Sequence, residues 1–133
     1  MAFVLDASIA AAWYLADETA PLAEHALELL QSEPAVAPTL LWYELRNLFI
    51  VQERRRRIAA SAIAEALVRI TSLQIALETP DSDEVMALAR SYRLTVYDAS
   101  YLSLALGGRI PLATLDRELA AAARRAGVEL LSA

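Results

Sequence analysis

Phe3-Val4-Leu5-Asp6-Ala7-Ser8 is an apolar run that ends abruptly on a carboxylate and a small hydroxyl residue. Three apolar residues bounded in this way read as a short parallel strand covered on both faces. The Ala-rich segment after them, Ala7 to Leu15, reads as the helix of a βαβ unit. Asp6 is then expected at the carboxyl end of a central strand, the edge of an open α/β sheet where ligands bind at the point of strand reversal. Asp6 could equally cap the following helix through backbone N–H groups, as Asp and Ser commonly do. The rest of the chain favours the first reading, because the pattern recurs. Leu94-Thr95-Val96-Tyr97 leads into Asp98-Ala99-Ser100, read as a second strand end, and Ile110-Pro111-Leu112-Ala113 leads into Thr114-Leu115-Asp116, read as a third.

Between these points the periodicity alternates. Helices are expected over Pro21 to Gln31, Thr39 to about Arg56, Ala60 to Leu73, Asp81 to about Tyr92, Asp98 to Leu106 and Arg117 to Arg125. Short strands are expected at Ala35-Val36-Ala37, Leu73 to Leu77 and Val128 to Leu131, with turns at Asp17-Glu18-Thr19 and Gly107-Gly108. This order is that of an α/β domain, and 133 residues are enough for one domain with its own core.

Composition narrows the chemistry. Cysteine is absent, all 12 basic residues are Arg, and His25 is the single histidine, at the margin of an apolar helix face. Thiol nucleophiles, sulfur-bound metals, Schiff-base lysines and a P-loop are therefore excluded. A net charge of -5 argues against a uniformly basic nucleic-acid-binding surface, though not against acid in a cleft with arginine around its rim. The hydrophobic fraction of 57% implies apolar surface left over for a partner or for self-association. No apolar run reaches the roughly 18 residues of a membrane span, and no signal-peptide pattern stands at the start, so a cytoplasmic location without membrane attachment is expected.

Glu44 is the fourth notable acid. With Leu41, Leu45 and Leu48 as a helical stripe it falls on the apolar face itself, with Asn47 a turn further on. Burial there costs several kcal/mol (~2 to 7 for even a neutral polar group) unless the carboxylate is paired or bound to a cation. If Asp6, Glu44, Asp98 and Asp116 converge, their mutual repulsion requires a cation. A ligand set of hard oxygens suits Mg²⁺ or Mn²⁺, and metal-assisted phosphoryl chemistry follows. The run Arg54-Arg55-Arg56-Arg57 reads either as a solvated helix end complementing the dipole or as a contact for phosphate or an acidic partner.

Asp6-Ala7-Ser8, Glu44-x-x-Asn47, Asp98 within Tyr-Asp-Ala-Ser-Tyr-Leu-Ser-Leu-Ala, and Thr114-x-Asp116, in this order, resemble the PIN domain, and the chain looks like a VapC-type toxin. The resemblance runs from Phe3 to about Leu131. It implies a three-layer α/β/α sandwich with a short, mainly parallel sheet and the activity of a Mg²⁺-dependent endoribonuclease. Asp6, Glu44, Asp98 and Asp116 would be its acidic metal site, with Ser8, Asn47 and Thr114 in support. It further implies RNA as substrate, a homodimer, and an antitoxin chain occupying the groove and site. The helices Thr39 to Arg56 and Ala60 to Leu73 are expected to offer a groove to an amphipathic segment of that partner. The competing expectation is a non-catalytic module of the same fold that binds a partner helix. It accounts for the apolar excess and for none of the four acids.

Overall fold

The computed structural model describes residues 1–15 and 20–133. The turn expected at Asp17-Glu18-Thr19 lies outside the described residues. The chain forms, in order, β1 (Phe3–Leu5), α1 (Ala7–Ala12), α2 (Pro21–Leu29), β2 (Ala35–Pro38), α3 (Leu41–Arg54), α4 (Ala60–Thr71), β3 (Ile75–Glu78), α5 (Ser82–Tyr92), α6 (Val96–Gly108), β4 (Leu112–Ala113) and α7 (Arg117–Arg125). The four strands form one parallel sheet in the order β3-β2-β1-β4. From β1 the chain adds strands in one direction and then returns to place β4 on the other side. The reversal falls between β1 and β4, beside Asp6.

Strand geometry sends successive side chains to opposite faces, which explains why all three residues of β1 are apolar. Phe3 and Leu5 enter a core shared with α1 to α4, whereas Val4 enters a second core with Tyr101, Leu102, Leu112 and Leu119 from the α6 and α7 side. The result is the three-layer α/β/α arrangement expected from the sequence. On α3 the buried stripe is Leu41, Leu45 and Phe49. Trp13 packs against the first core and donates from Nε1 to the Ala23 carbonyl at 2.7 Å, so it is structural.

Two expected strands are corrected. Leu94 to Tyr97 is not a strand: α6 begins at Val96, with Thr95 as its N-cap accepting the Asp98 N–H at 3.1 Å. The β-branched pair Thr95-Val96 suits a strand by propensity, but the Thr95 hydroxyl satisfies a helix-start donor and the helix forms around it. Asp98 therefore lies inside the first turn of a helix. Val128 to Leu131 is reduced to a single parallel bridge, Leu112 to Leu130, because β4 offers only two residues to pair with.

Arg93 closes α5 and Arg109 closes α6, each in the left-handed conformation (φ 53° and 52°) that ordinarily favours glycine. Arg93 is exposed and its Cβ is disfavoured there. Arg93→Gly should therefore raise the unfolding free energy by about 0.5 to 1 kcal/mol. Urea denaturation of the two proteins measures this.

Candidate active site

The carboxyl end of β1, the first turns of α3 and α6, and the β4–α7 junction surround a pocket of about 160 Å³. Asp6, Glu44, Asp98 and Asp116 line it, with Ser8 and Asn47. Every acid expected in the site is thus brought to one place. Among the described residues no arginine lines the pocket, and the sequence contains no lysine.

Asp6 is buried and follows the last residue of β1. It stands at the N-cap position of α1, yet its side chain makes no cap hydrogen bond. Instead its Oδ2 accepts from the Ser8 hydroxyl at 2.6 Å and from the Thr114 hydroxyl at 2.7 Å. Both hydroxyls are held in that sense by the backbone after β4. Ser8 Oγ accepts the Leu115 N–H at 3.0 Å, and Thr114 Oγ1 accepts the Asp116 N–H at 3.0 Å. Each hydroxyl has one proton, and with a backbone donor occupying its oxygen the proton is left for Asp6. The second oxygen of Asp6 remains available to a ligand.

Asp116 divides its carboxylate differently. Oδ1 caps α7 by accepting from Glu118 N at 2.9 Å and Leu119 N at 3.0 Å, which leaves Oδ2 uncommitted. Thr114, predicted as a supporting residue, ties the two aspartates together, since it donates to Asp6 and accepts from the Asp116 backbone. Thr114→Val should destabilise the chain by about 1 to 3 kcal/mol, because it leaves the buried Asp6 carboxylate with Ser8 as its one hydroxyl donor and the Asp116 N–H without an acceptor, whereas Thr114→Ser should recover most of the loss. Denaturation of both variants separates the effect of the hydroxyl from that of the methyl.

Glu44 is half-buried in the first turn of α3, and its Oε1 is fully buried without a hydrogen-bond partner. Tyr101, one turn beyond Asp98 on α6, is fully buried beneath the pocket, and its hydroxyl also lacks a partner. The two groups are neighbours, close enough to influence each other's ionisation, but their geometry falls short of a hydrogen bond. Tyr101 was part of the sequence motif without a role assigned to it. Its orphaned hydroxyl under Glu44 is visible only in three dimensions.

Electrostatics agree with the geometry. Burial raises the Glu44 carboxyl to about 7, with Tyr101 opposing the rise and the charges of Asp6, Asp98 and Asp116 adding to it. Burial raises Asp98 to about 6, reinforced by Asp116, Asp6 and Glu118 and opposed by Thr95. Asp6 is also raised, by burial first, against the lowering effect of its Ser8 and Thr114 bonds and with a further push from Asp116. The charge of Asp116 raises all three, and Asp6 raises both Glu44 and Asp98, as expected of acids that share one pocket.

Among the described residues, no three acidic or histidine side chains close around a point as a ready-made ligand set. The carboxylates ring the pocket with room between them. Such an arrangement suits a hard cation that keeps part of its water shell, and the buried unpaired Glu44 oxygen together with the uncompensated acids fits a divalent ion.

A parallel α/β/α sandwich with an acid-lined pocket at its strand reversal is the arrangement that the resemblance to PIN domains implies. Residues 3–125 match the family model described as "PIN domain", and the chain belongs to that family. It is 35% identical over 126 residues to Ribonuclease VapC3 of Pyrobaculum aerophilum, covering 90% of this chain and 93% of that relative. The crystal structure of PAE2754 from Pyrobaculum aerophilum matches with a TM-score of 0.72 at 30% identity, over 92% of this chain and 84% of the other. Mycobacterium tuberculosis VapC20, described as a sarcin-ricin loop cleaving toxin, shares the fold with a TM-score of 0.61 at 18% identity, over 90% and 94% of the two chains. The resemblance to VapC proteins read from the residues is borne out.

Proposed function

We propose that this chain is a Mg²⁺-dependent endoribonuclease, Mn²⁺ substituting, and the toxin of a toxin-antitoxin pair. The observation that carries the metal-dependent reading is the pocket itself, which four carboxylates line with no cationic side chain among its lining residues. Kinship with a relative named as a ribonuclease supports RNA as the substrate. Asp6, Glu44, Asp98 and Asp116 would hold the ion. When bound, it supplies an activated water and neutralises charge on the phosphate.

The chain's own groups do the rest. Ser8 and Thr114 fix Asp6 in one orientation through Oδ2. Capping of α7 fixes Asp116 through Oδ1, and both residues line the pocket. Glu44, with a buried unpaired oxygen in the first turn of α3, would either help hold the ion or orient the attacking water. Asn47 at the rim offers a neutral hydrogen-bonding group to the substrate.

The partner reading rests on exposed apolar side chains. Val68 on α4 is 71% exposed and Ile50 on α3 lies at the surface, which suits an amphipathic antitoxin segment across these helices. Met86, Val96 and Tyr97 form a separate exposed apolar surface near a hollow between α5 and the start of α6, which suits pairing of two copies as a homodimer. The cytoplasm is where such a nuclease meets its RNA. Among the described residues no helix is long and apolar enough to cross a membrane.

Purified protein incubated with RNA in Mg²⁺ or in chelator, beside an Asp98→Asn control, tests the activity. Cleavage that requires the metal and is lost in the control is expected. Cleavage in chelator, or equal cleavage by the control, would refute the reading.

A further inference from the structure

Arg54, Arg55, Arg56 and Arg57 are exposed at the far end of α3 from the acid pocket. The turn that carries them is fixed. Arg56 is left-handed (φ 58°), its N–H bonds the Glu53 carbonyl at 2.9 Å, and the Arg57 N–H bonds the Gln52 carbonyl at 2.9 Å. This is the doubly bonded helix stop that glycine usually makes. Arginine is held there in spite of its Cβ. One or two cations satisfy a helix C-terminus, whereas Arg54, Arg55 and Arg56 are three in succession and repel one another. Among the described residues no acid forms an ion pair with Arg54, Arg55 or Arg56.

The cluster is joined to the site by a track. A hollow of about 300 Å³ shares Ser8, Leu48 and Asp116 with the acid pocket and extends it to Leu15 and Gln52. Gln52 in turn accepts from Arg57 Nη1 at 3.3 Å, so the hollow ends one hydrogen bond from Arg57, the residue that follows Arg54, Arg55 and Arg56 in the chain. Helix periodicity agrees, because Arg55 lies eleven residues beyond Glu44, close to three full turns, and returns to the same face. At about 1.5 Å per residue the separation along α3 is roughly 16 Å.

Building on the nuclease reading, we propose that Arg54, Arg55 and Arg56 anchor the RNA backbone several nucleotides from the scissile phosphate, with the strand lying along the Leu48–Gln52 hollow. A stacked strand advances about 3.4 Å per nucleotide, so roughly five nucleotides span the gap, fewer when the strand is extended. The charge is complementary to phosphate, and the acid pocket has no arginine of its own to hold the strand. This enzyme would therefore discriminate by substrate length.

The test uses the combined variant Arg54→Gln, Arg55→Gln, Arg56→Gly, in which glycine suits the left-handed position and Arg57 is left in place. Both this variant and its parent carry Asp98→Asn, so that RNA stays intact. Binding of a 12-nucleotide RNA and of a trinucleotide without terminal phosphates is measured across a salt series, with thermal melts as the folding control. The trinucleotide has two phosphates, and with one at the acids the other falls short of the arginines. The expected result is an affinity loss at least tenfold greater for the 12-mer than for the trinucleotide. The salt dependence for the 12-mer should also flatten by up to about 2 log units per log unit of salt, roughly 0.7 for each phosphate that the arginines no longer neutralise. Replacing the same three arginines by Lys should retain most of the 12-mer affinity. Equal losses for both RNAs, or none, would overturn the proposal. So would unchanged RNA binding accompanied by loss of binding to an acidic peptide, which would assign the arginines to a protein partner. Cleavage by the wild-type protein is assayed separately: its absence beside arginine-dependent binding would remove the nuclease reading and leave the track.

Discussion

Asp6→Asn should reduce RNA cleavage at least a hundredfold while leaving the chain folded. The side chain is buried, and its Oδ2 takes two hydroxyl donors at 2.6 and 2.7 Å. Asparagine can present its carbonyl oxygen to both hydroxyls and turn its amide toward the pocket, so the packing is kept. What it cannot do is place a negative oxygen there. Loss of a hard anionic ligand removes several kcal/mol of charge stabilisation, and each 1.36 kcal/mol is tenfold in rate. Asp98→Asn should have a comparable effect, since Asp98 lies in a rigid first helical turn and its removal leaves the fold's capping group, Thr95, in place. Cleavage assays and circular dichroism on the same preparations decide both. Wild-type rates in either variant would mean that the acids serve something other than turnover.

The second large effect is on stability against pH, in chelator. Glu44 is raised from 4.5 to about 7 and Asp98 from 3.8 to about 6 in the folded chain. Between the ordinary and the raised values the folded chain binds more protons than the unfolded chain does. Stability is then fully present below about pH 4, as far as these two groups are concerned, and falls as pH rises toward 7. Metal-free protein should therefore melt at a lower temperature at pH 7.5 than at pH 5.5. Saturating Mn²⁺ should narrow or reverse the difference, because deprotonated acids bind it and protons compete with it. Melts at the two pH values, with chelator and with Mn²⁺, give the four temperatures needed. A metal-free melting point that rises with pH would contradict the assignment of Glu44 and Asp98 to a repelling cluster.

Much of the site was legible in the sequence because its acids interrupt patterns that have no other use for them. Asp6 ends a run in which every residue is buried, and Glu44 falls on a stripe whose neighbours Leu41 and Leu45 are fully buried. Those interruptions are one-dimensional and can be read as such. Asp98 reaches the pocket on a different element from the one its flanking residues suggest. Thr95 and Val96 suggested a strand ending on the acid, but a side-chain hydroxyl starts a helix there. Local propensity cannot weigh that single hydrogen bond.

Other features depend on contacts between distant segments. The sequence made capping and ligation look like alternatives for an aspartate at a helix start. Asp116 caps α7 and still lines the pocket, whereas Asp6 stands at a cap position and makes no cap bond. Thr114 reaches Asp6 across 108 residues of chain, and Tyr101 lies hidden under Glu44. The final strand failed for a similar reason, because its length was set by a partner strand of only two residues.

Addition of Mn²⁺ to metal-free protein near pH 7.5, followed by thermal melting of the wild type and of Asp98→Asn, bears most directly on the central claim that Asp6, Glu44, Asp98 and Asp116 form one divalent-cation site. A ligand that binds only the folded state adds about 2.7 kcal/mol of stability at a hundredfold excess over its Kd. The wild type should gain several degrees with Mn²⁺. Asp98→Asn should start higher than the wild type in chelator, because one repelling charge is gone, and should lose most of the gain with metal. A wild-type melting temperature that is the same with saturating Mn²⁺ as with chelator would contradict the claim.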